Sequence, residues 1–225
     1  MKPSAFIFDL ENTLLENEHF LRIKEVNFIE RLGIRKNTNL LKKLFQSTGL
    51  HFWQQLAREQ KLPLDPESYM HIFQEKSKQF IKDLDIQISS EGVELLKALI
   101  KDNLKIIITS YSKKDRIEYF LDAAKINIKK DLISLIDGEK FDTPKSNNKF
   151  YFDLAEYCHL DLYSTITVDS SIENIMAAKK SGITGIFLNK FQYPISNKEK
   201  YMQVRHLSEI IPEAIELFSE TGIYS

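Results

Sequence analysis

Short, continuous runs of apolar residues alternate along this chain with longer segments in which apolar residues recur at helical spacing. The continuous runs are rich in Ile, Val and Phe and cover residues 5–9, 104–110, 132–137, 165–170 and 185–189. Such runs are typical of strands that are buried on both faces of a parallel sheet. The segments at helical spacing that lie between them cover residues 89–102, 113–125, 148–158 and 171–182. This alternation predicts an α/β fold in which helices cover both faces of a parallel sheet.

The region between the first strand and residue 86 departs from this alternation. It contains no predicted strand, and its pattern predicts amphipathic helices over residues 19–33, 37–49, 52–60 and 66–83. We therefore expect residues 1–14 and 86–225 to form the α/β core and residues 15–85 to form an inserted helical domain. Its aromatic residues are predicted to form a core of their own, among them Phe45, Phe52, Trp53, Tyr69 and Phe73. A last helix is predicted over residues 206–219.

Polar side chains follow three of the predicted strands, at the point where each strand ends. Asp9 and then Glu11 follow the first strand, Ser110 ends the second, and Asp169 ends the strand over residues 165–170. Ligands bind at the carboxyl ends of parallel strands, so we expect these groups to share one cleft. Carboxylates in one cleft repel each other, and a hard divalent cation such as Mg²⁺ offsets that repulsion. Each acid taken alone is more simply explained as a helix N-cap or a turn residue.

Composition narrows the classes of protein that this chain can represent. It has 225 residues, 31 basic and 32 acidic, with a net charge of -1, so no general attraction to nucleic acid or an anionic membrane is expected. The single cysteine, Cys158, excludes an internal disulfide and favours a reducing compartment. No apolar stretch approaches the roughly 20 residues of a membrane helix, and the first apolar run is too short for a secretory signal. We expect a cytoplasmic protein, either a monomer or a small homo-oligomer.

Four segments, in order, resemble the motifs of the haloacid dehalogenase-like hydrolase superfamily. FDLENTL (8–14) is similar to the first motif, a strand followed by Asp-x-Asp-x-Thr, and KIIITSYSK (105–113) to the second, a strand ending in Ser or Thr. TPKSNNKFYFDLA (143–155) is similar to the third, a Lys before a helix. VDSSIENIMAAKKSGI (168–183) is similar to the fourth, a strand ending in Asp and followed by a second acid. The resemblance covers essentially the whole chain and implies a Rossmann-like core with a helical cap after the first motif.

The resemblance also implies a reaction: Mg²⁺-dependent hydrolysis of a small phosphorylated metabolite through an aspartyl-phosphate. Asp9 would be the nucleophile, Glu11 the general acid and base, and Lys145 a positive charge that offsets the charge of the phosphoryl group. The implied phosphate ligands are Thr13, Ser110, Tyr111 and Lys145. The implied metal ligands are Asp9, Asp169 and the backbone carbonyl of Glu11.

Several of these residues have a simpler structural explanation. Thr13 also suits a helix cap, Lys145 taken alone is an ordinary solvated lysine, and Glu173 is an ordinary acid in the first turn of a helix. Under the resemblance, Glu173 would lie behind the metal or orient Lys145. The implied cap would move on hinges near residues 14–17 and 83–89. Its candidate substrate contacts are Asn17, His19 and Arg22.

Two positions depart from the family pattern. Glu11 stands where most members carry Asp, which lengthens the acid/base arm by one methylene, and a misplacement of about 1 Å can lower a rate about a hundredfold. Val168 stands where many relatives have Gly or an acid, which leaves Asp169 as the sole acid at that strand end. These departures leave open a catalytically weak scaffold that binds a ligand or a protein. A phosphomutase, which shares the nucleophile but normally carries Asp at position 11, also stays open.

Overall fold

The computed structural model describes residues 3–35, 50–127, 131–138, 140–141, 143–190 and 201–210. The strands in these residues are β1 (Ala5–Asp9), β2 (Lys105–Thr109), β3 (Ile133–Ile136), β4 (Thr165–Asp169), β5 (Thr184–Leu188) and β6 (Met202–Val204). The helices are α1 (Glu18–Arg31), α2 (Leu50–Gln60), α3 (Pro66–Asp83), α4 (Ser90–Lys101), α5 (Lys114–Ala123), α6 (Asn148–Cys158) and α7 (Ile172–Lys180). None of the helices in these ranges is both long and apolar enough to cross a membrane.

The six strands form one parallel sheet in the order β3-β2-β1-β4-β5-β6. Side chains of β1 point alternately to the two faces, so that Phe6 and Phe8 pack with α4 and α5, while Ala5 and Ile7 pack with α6 and α7. The predicted parallel sheet with helices on both faces is therefore confirmed.

The sixth strand was not predicted, because it has only three residues and a polar Gln203 at its centre. Such a segment does not form the continuous apolar run that marked the other strands. The last predicted helix, over residues 206–219, lies mostly outside the described residues. Within them, residues 207–209 form a single 3₁₀ turn.

The regular secondary structure in the described residues between 18 and 83 consists of the helices α1, α2 and α3, and we call residues 15–85 the helical insertion. Its predicted core is confirmed in the described residues, where the fully buried Trp53 contacts the rings of Phe52, Tyr69 and Phe73. Phe45 and the helix predicted over residues 37–49 lie outside the described residues.

Two adjacent backbone segments join the helical insertion to the sheet. The N–H of Glu16 donates to the carbonyl of Gln87 at 2.9 Å, and the N–H of Ser89 donates to the carbonyl of Leu14 at 2.9 Å. These segments coincide with the two predicted hinges.

Candidate active site

The candidate site lies at the carboxyl end of the sheet, where the chain order reverses on either side of β1. Asp9, the last residue of β1, pairs with Thr109 of β2, and β4 on the other side ends at Asp169. Asp9 and Asp169 are 5% and 3% exposed, so these carboxylates lie within the protein and not on a solvated rim. This is the position at which open α/β sheets bind ligands.

A tight loop after β1 returns the chain toward Asp9. Asn12 has a φ of 56°, in the left-handed region that Asn enters more readily than most residues, and the N–H of Leu15 donates to the carbonyl of Leu10 at 3.0 Å. The hydroxyl of Thr13 donates to Asp9 Oδ2 at 3.4 Å and accepts from the N–H of Ser170 at 3.1 Å. Thr13 thus joins the segments that follow β1 and β4, and it is not the cap of α1.

Lys145 forms an ion pair with Asp9, contacting Oδ1 through Nζ, and both side chains are buried. Its ammonium also lies 4.2 Å from the centroid of the Tyr111 ring. Burial lowers the pKa of Lys145, but the negative charges of Asp9 and Asp169 raise it by more, so the side chain stays protonated. Gly138 packs on the backbone of Tyr111. A Cβ at position 138 would lie 2.9 Å from the carbonyl oxygen of Tyr111, so a larger residue there would displace Tyr111 from its place beside Lys145.

The carboxylate of Asp169 is oriented by two donors from the start of α7. Oδ1 accepts from the N–H of Ser171 at 2.7 Å, and Oδ2 accepts from the side-chain amide of Asn174 at 2.9 Å. Glu173 is exposed and accepts from the hydroxyl of Ser171 at 3.0 Å. Asn174, the residue after Glu173, thus supports the Asp169 carboxylate. We did not consider Asn174 because a search among charged residues passes over a neutral amide. The role predicted for Glu173, behind the metal or in orienting Lys145, stays a prediction.

Glu11 is held by three donors from the segment that follows β2. Its Oε1 accepts from the hydroxyls of Ser110 at 2.6 Å and Ser112 at 2.8 Å, and its Oε2 accepts from the N–H of Tyr111 at 3.3 Å. Ser110 and Tyr111 are two of the four predicted phosphate ligands, and here both donate to a carboxylate of the protein itself. Sequence reasoning missed Ser112, although it lies two residues after Ser110.

The environment of Glu11 favours its ionised form. Burial raises the pKa of this carboxyl. The positive charges of Lys145 and Arg116 and the hydrogen bond from Ser110 together lower it by more, so that its pKa lies below the usual value. The opposite holds for Asp9 and Asp169, whose pKa values are raised by burial, with Lys145 opposing.

The donor set fits a divalent cation held by two carboxylates and a backbone carbonyl. Asp9, Glu11 and Asp169 are all buried. The charges of Lys145 and Arg116 act on Glu11, so the two aspartates share the single ammonium of Lys145 when all of these side chains are ionised. Each of the three carboxylates repels the others, and Mg²⁺ accepts such oxygen ligands. In the described parts of the chain, no three His, Cys, Asp or Glu side chains are arranged to hold a metal by themselves. The carboxylate of Glu11 is engaged by Ser110 and Ser112, and so is less available to a metal than those of Asp9 and Asp169.

A buried carboxylate, a lysine paired with it and a second strand-end acid lie together at the carboxyl edge of a parallel α/β sheet, an arrangement suited to a hydrolase. The family model of haloacid dehalogenase-like hydrolases matches residues 6–188. The chain therefore belongs to the haloacid dehalogenase-like hydrolase family. A comparison with curated proteins found no match.

Solved structures share this fold at low sequence identity. The β-phosphoglucomutase from Clostridium difficile is 16% identical with a TM-score of 0.72, and 96% of each chain is covered. CbbY from Rhodobacter sphaeroides, in complex with phosphate, is 16% identical with a TM-score of 0.69, and covers 92% of this chain and 96% of its own. A predicted phosphoglycolate phosphatase from Haemophilus somnus is 15% identical with a TM-score of 0.67, and covers 95% of this chain and 99% of its own.

Proposed function

We propose that this protein is a Mg²⁺-dependent phosphatase that hydrolyses a small phosphate monoester through an aspartyl-phosphate on Asp9. The observation that carries the proposal is the buried carboxylate of Asp9, paired with Lys145 at the carboxyl edge of the sheet and close to Asp169. Membership of a hydrolase family supports it, as do neighbours named as a phosphatase, a phosphomutase and a phosphate complex. The single cysteine supports a reducing compartment such as the cytoplasm.

In the first step, an oxygen of Asp9 attacks the phosphorus and the bond to the ester oxygen breaks. A carboxylate is already ionised at neutral pH when its charge is compensated, so it needs no base to become a nucleophile. Lys145 offsets the charge on the phosphoryl oxygens as the group is transferred. Despite its burial, Glu11 is ionised while Lys145, Arg116 and the hydrogen bond from Ser110 lower its pKa. Bound phosphate takes that hydrogen bond and offsets the positive charge, so that Glu11 takes up a proton, gives it to the departing alkoxide, and the alcohol leaves.

In the second step, water attacks the phosphorus of the aspartyl-phosphate. Glu11, now a carboxylate, takes a proton from that water as the new bond to phosphorus forms. The bond between phosphorus and Asp9 breaks, the carboxylate is regenerated and inorganic phosphate is released. The same side chain thus acts as acid and then as base, and both transfers require it to reach the ester side of the phosphorus.

The hydrogen bonds of Glu11 bear directly on this sequence of steps. Its carboxylate accepts from Ser110 and Tyr111, the groups that we assign to the substrate phosphate. The phosphate must therefore take these donors from Glu11, which releases its carboxylate to turn toward the ester oxygen. Ser112 is not assigned to the phosphate and keeps a donor close to the acid/base throughout.

The cation would be held by Asp9, Asp169 and the backbone carbonyl of Glu11. When bound, it supplies positive charge that offsets the repulsion between the anionic nucleophile and the anionic substrate. The side chain of Asn174 and the N–H of Ser171 keep the Asp169 carboxylate oriented for that role.

Phosphate release from p-nitrophenyl phosphate and from a panel of alkyl phosphates, with and without Mg²⁺, tests this function. Asp9→Asn should abolish release because an amide cannot form the acyl-phosphate, and mass spectrometry of acid-quenched wild-type protein should find one phosphoryl group on Asp9. Asp102→Asn, at an exposed helix end, is the matched control and should behave as wild type. Full activity in Asp9→Asn would refute the nucleophile assignment.

A catalytically weak scaffold that binds an anionic ligand is the second candidate. It is favoured by the three hydrogen bonds that hold the carboxylate of Glu11. This alternative predicts phosphate binding without turnover in the same assays. A phosphomutase would form the same aspartyl-phosphate and return it to a second hydroxyl, so it would yield an isomeric phosphate ester in place of inorganic phosphate.

A further inference from the structure

A cavity of about 380 Å³ lies between the helical insertion and the core. Its walls are one face of α3 and the segment that runs from Ser112 into α5. Ser112 both lines this cavity and donates to Glu11, so the cavity adjoins the proposed acid and base. A leaving group that receives its proton from Glu11 would extend into this space.

The walls of the cavity are rich in positive charge. Lys78 and Lys82 contribute from α3, Lys113 and Arg116 contribute from the core, and Asp115 is the only acid among the residues that line it. The chain as a whole carries a net charge of -1, so this charge is local. In the described part of the chain, Lys82 and Lys113 make no ion pair. A cavity of this kind favours an anionic ligand.

Arg116 is the group in this cavity whose bonding is incomplete. Its Nε and one Nη are buried, and neither has a hydrogen-bond partner among the described residues. Nε and the terminal nitrogens form the planar fork that binds carboxylate and phosphate, often through two parallel hydrogen bonds. A buried charged donor without a partner is costly, so an oxyanion at this fork would gain more than one at a solvated lysine.

Glu18 of the helical insertion is the competing partner for Arg116. Its Oε2 is buried and also has no partner among the described residues. Burial raises the pKa of Glu18, and the positive charges of Arg22 and Arg116 oppose that rise. The two side chains are therefore near each other, yet they form no ion pair in the described structure. Oε1 of Glu18 is already bound by Arg22 at 2.9 Å. A ligand oxyanion is thus free to take the fork of Arg116.

We propose that this cavity binds a second anionic group on the leaving group of the substrate, with Arg116 as its principal ligand and Lys82 and Lys113 as supporting charges. The substrate class is then a small phosphate monoester that also carries a carboxylate or a second phosphate, an inference that rests on the phosphatase function proposed above. Phe73, Ile81 and Tyr119 line the same cavity and favour a short carbon chain between the two anionic groups.

Two matched pairs of compounds test the proposal and separate the two anions. 3-Phosphoglycerate and glycerol 3-phosphate differ in a carboxylate, and 1,3-propanediol bisphosphate and 3-hydroxypropyl phosphate differ in a phosphate. In at least one pair, the compound that carries the second anionic group should have a kcat/KM about tenfold or more above that of the compound with a neutral hydroxyl in its place. Arg116→Gln should lower kcat/KM for the compound with the second anionic group about 10- to 100-fold more than for its partner, because any effect of Arg116 on the pKa of Glu11 is common to both compounds. Arg116→Lys should be intermediate, because it keeps the charge and loses the fork.

Lys114→Gln is the matched control. It removes one positive charge from the same helix, at an exposed residue that does not line the cavity, and should leave the preference intact. Equal losses on anionic and neutral compounds in Arg116→Gln would indicate a structural role, such as pairing with Glu18, and would overturn the proposal. A wild-type protein without preference in either pair would also overturn it.

Calorimetry on the Asp9→Asn protein separates this proposal from the phosphatase function. That variant should bind 1,3-propanediol bisphosphate or 3-phosphoglycerate more tightly than the neutral partner, and adding Arg116→Gln should remove the difference. If wild-type protein turns over p-nitrophenyl phosphate but this binding preference is absent, only the anion site is wrong. If the preference is present and no ester is hydrolysed, the anion site stands and the phosphatase function is wrong.

Discussion

Replacing Glu11 by Gln is expected to change phosphate binding and catalysis in opposite directions. The variant keeps the size of the side chain and removes both its charge and its ability to carry a proton. In the wild type, the carboxylate accepts from Ser110, Tyr111 and Ser112. Substrate phosphate competes with Glu11 for the donors of Ser110 and Tyr111. Gln accepts these hydrogen bonds less strongly than Glu, so both donors should become more available to phosphate.

The magnitude follows from the number and kind of these hydrogen bonds. A hydrogen bond to a charged group contributes about 1.5–3 kcal/mol, against about 0.5–1.5 kcal/mol for a neutral one. The two contested donors therefore hold Gln less strongly than Glu by about 2 kcal/mol in total. Loss of the carboxylate also removes a negative charge that repels phosphate. We expect inorganic phosphate to bind at least about tenfold more tightly, which corresponds to about 1.4 kcal/mol.

Catalysis should fall in the same variant, because neither the alkoxide nor the attacking water has a partner for its proton. Removal of a general acid or base lowers a rate by about 10²–10⁴, and this loss is expected for alkyl phosphates. The first step should suffer less with p-nitrophenyl phosphate, whose leaving group departs without protonation, so the aspartyl-phosphate should accumulate. Acid quenching and mass spectrometry would detect that intermediate.

Titration calorimetry of inorganic phosphate in the presence of Mg²⁺, beside phosphate-release kinetics, measures both effects. Ser112→Ala is the matched variant, since it removes one hydrogen bond from Glu11 and leaves the carboxylate in place. It should leave phosphate affinity close to that of wild type, because Ser112 is not one of the contested donors, and keep turnover within about tenfold of wild type. Unchanged phosphate affinity in Glu11→Gln would refute the competition for donors. Unchanged turnover on every ester would refute the acid/base role and favour the weak-scaffold alternative.

The remaining predictions concern the metal, the charge balance and the helical insertion. Chelation with EDTA should abolish activity, and Ca²⁺ should not restore it, because its looser coordination suits in-line transfer poorly; full activity in EDTA would contradict the metal assignment. Burial and mutual repulsion raise the pKa values of Asp9 and Asp169 in the folded state. Without metal, the free energy of unfolding should therefore fall as the pH rises above the ordinary carboxyl range toward pH ~8. Added Mg²⁺ should reverse this fall. Urea unfolding at about pH 5 and about pH 8 measures this effect, which should be smaller in Asp9→Asn. Trp53→Ala should cost about 3–5 kcal/mol in the same experiment, read by circular dichroism, because this fully buried ring packs on Tyr69 and Phe73; a loss under about 1 kcal/mol would contradict that packing.

The sequence by itself determined the elements whose burial is visible in a local pattern. Strands β1, β2 and β4 are continuous apolar runs, and their ends carry Asp9, Ser110 and Asp169. A strand buried on both faces carries apolar or small uncharged residues along most of its length, so its presence and its charged or polar end can be predicted without knowledge of its partners. The aromatic core around Trp53 was predictable for a similar reason, because helical spacing places its members on shared faces.

Tertiary structure decided which polar groups contact each other. Lys145 lies 136 positions from Asp9 in the sequence, and Ser112 lies 101 positions from Glu11. These contacts depend on strand order, on the register between β1 and β2, and on the path of the loop through Asn12. No local period encodes such contacts, because each combines the geometry of distant segments with a choice of side-chain rotamer.

Two further features of the site also depend on the packing of distant segments: the support of Asp169 and the bonding of Arg116. Asn174, and not the neighbouring Glu173, supports Asp169, because the start of α7 turns the amide toward the end of β4. Arg116 becomes a candidate ligand only because α3 and α5 enclose a cavity beside it and leave two of its nitrogens without partners in the described residues. Sequence fixes the types of side chain available to the site. The packing of the helical insertion against the sheet determines which of them are bonded within the protein and which are left to bind a ligand.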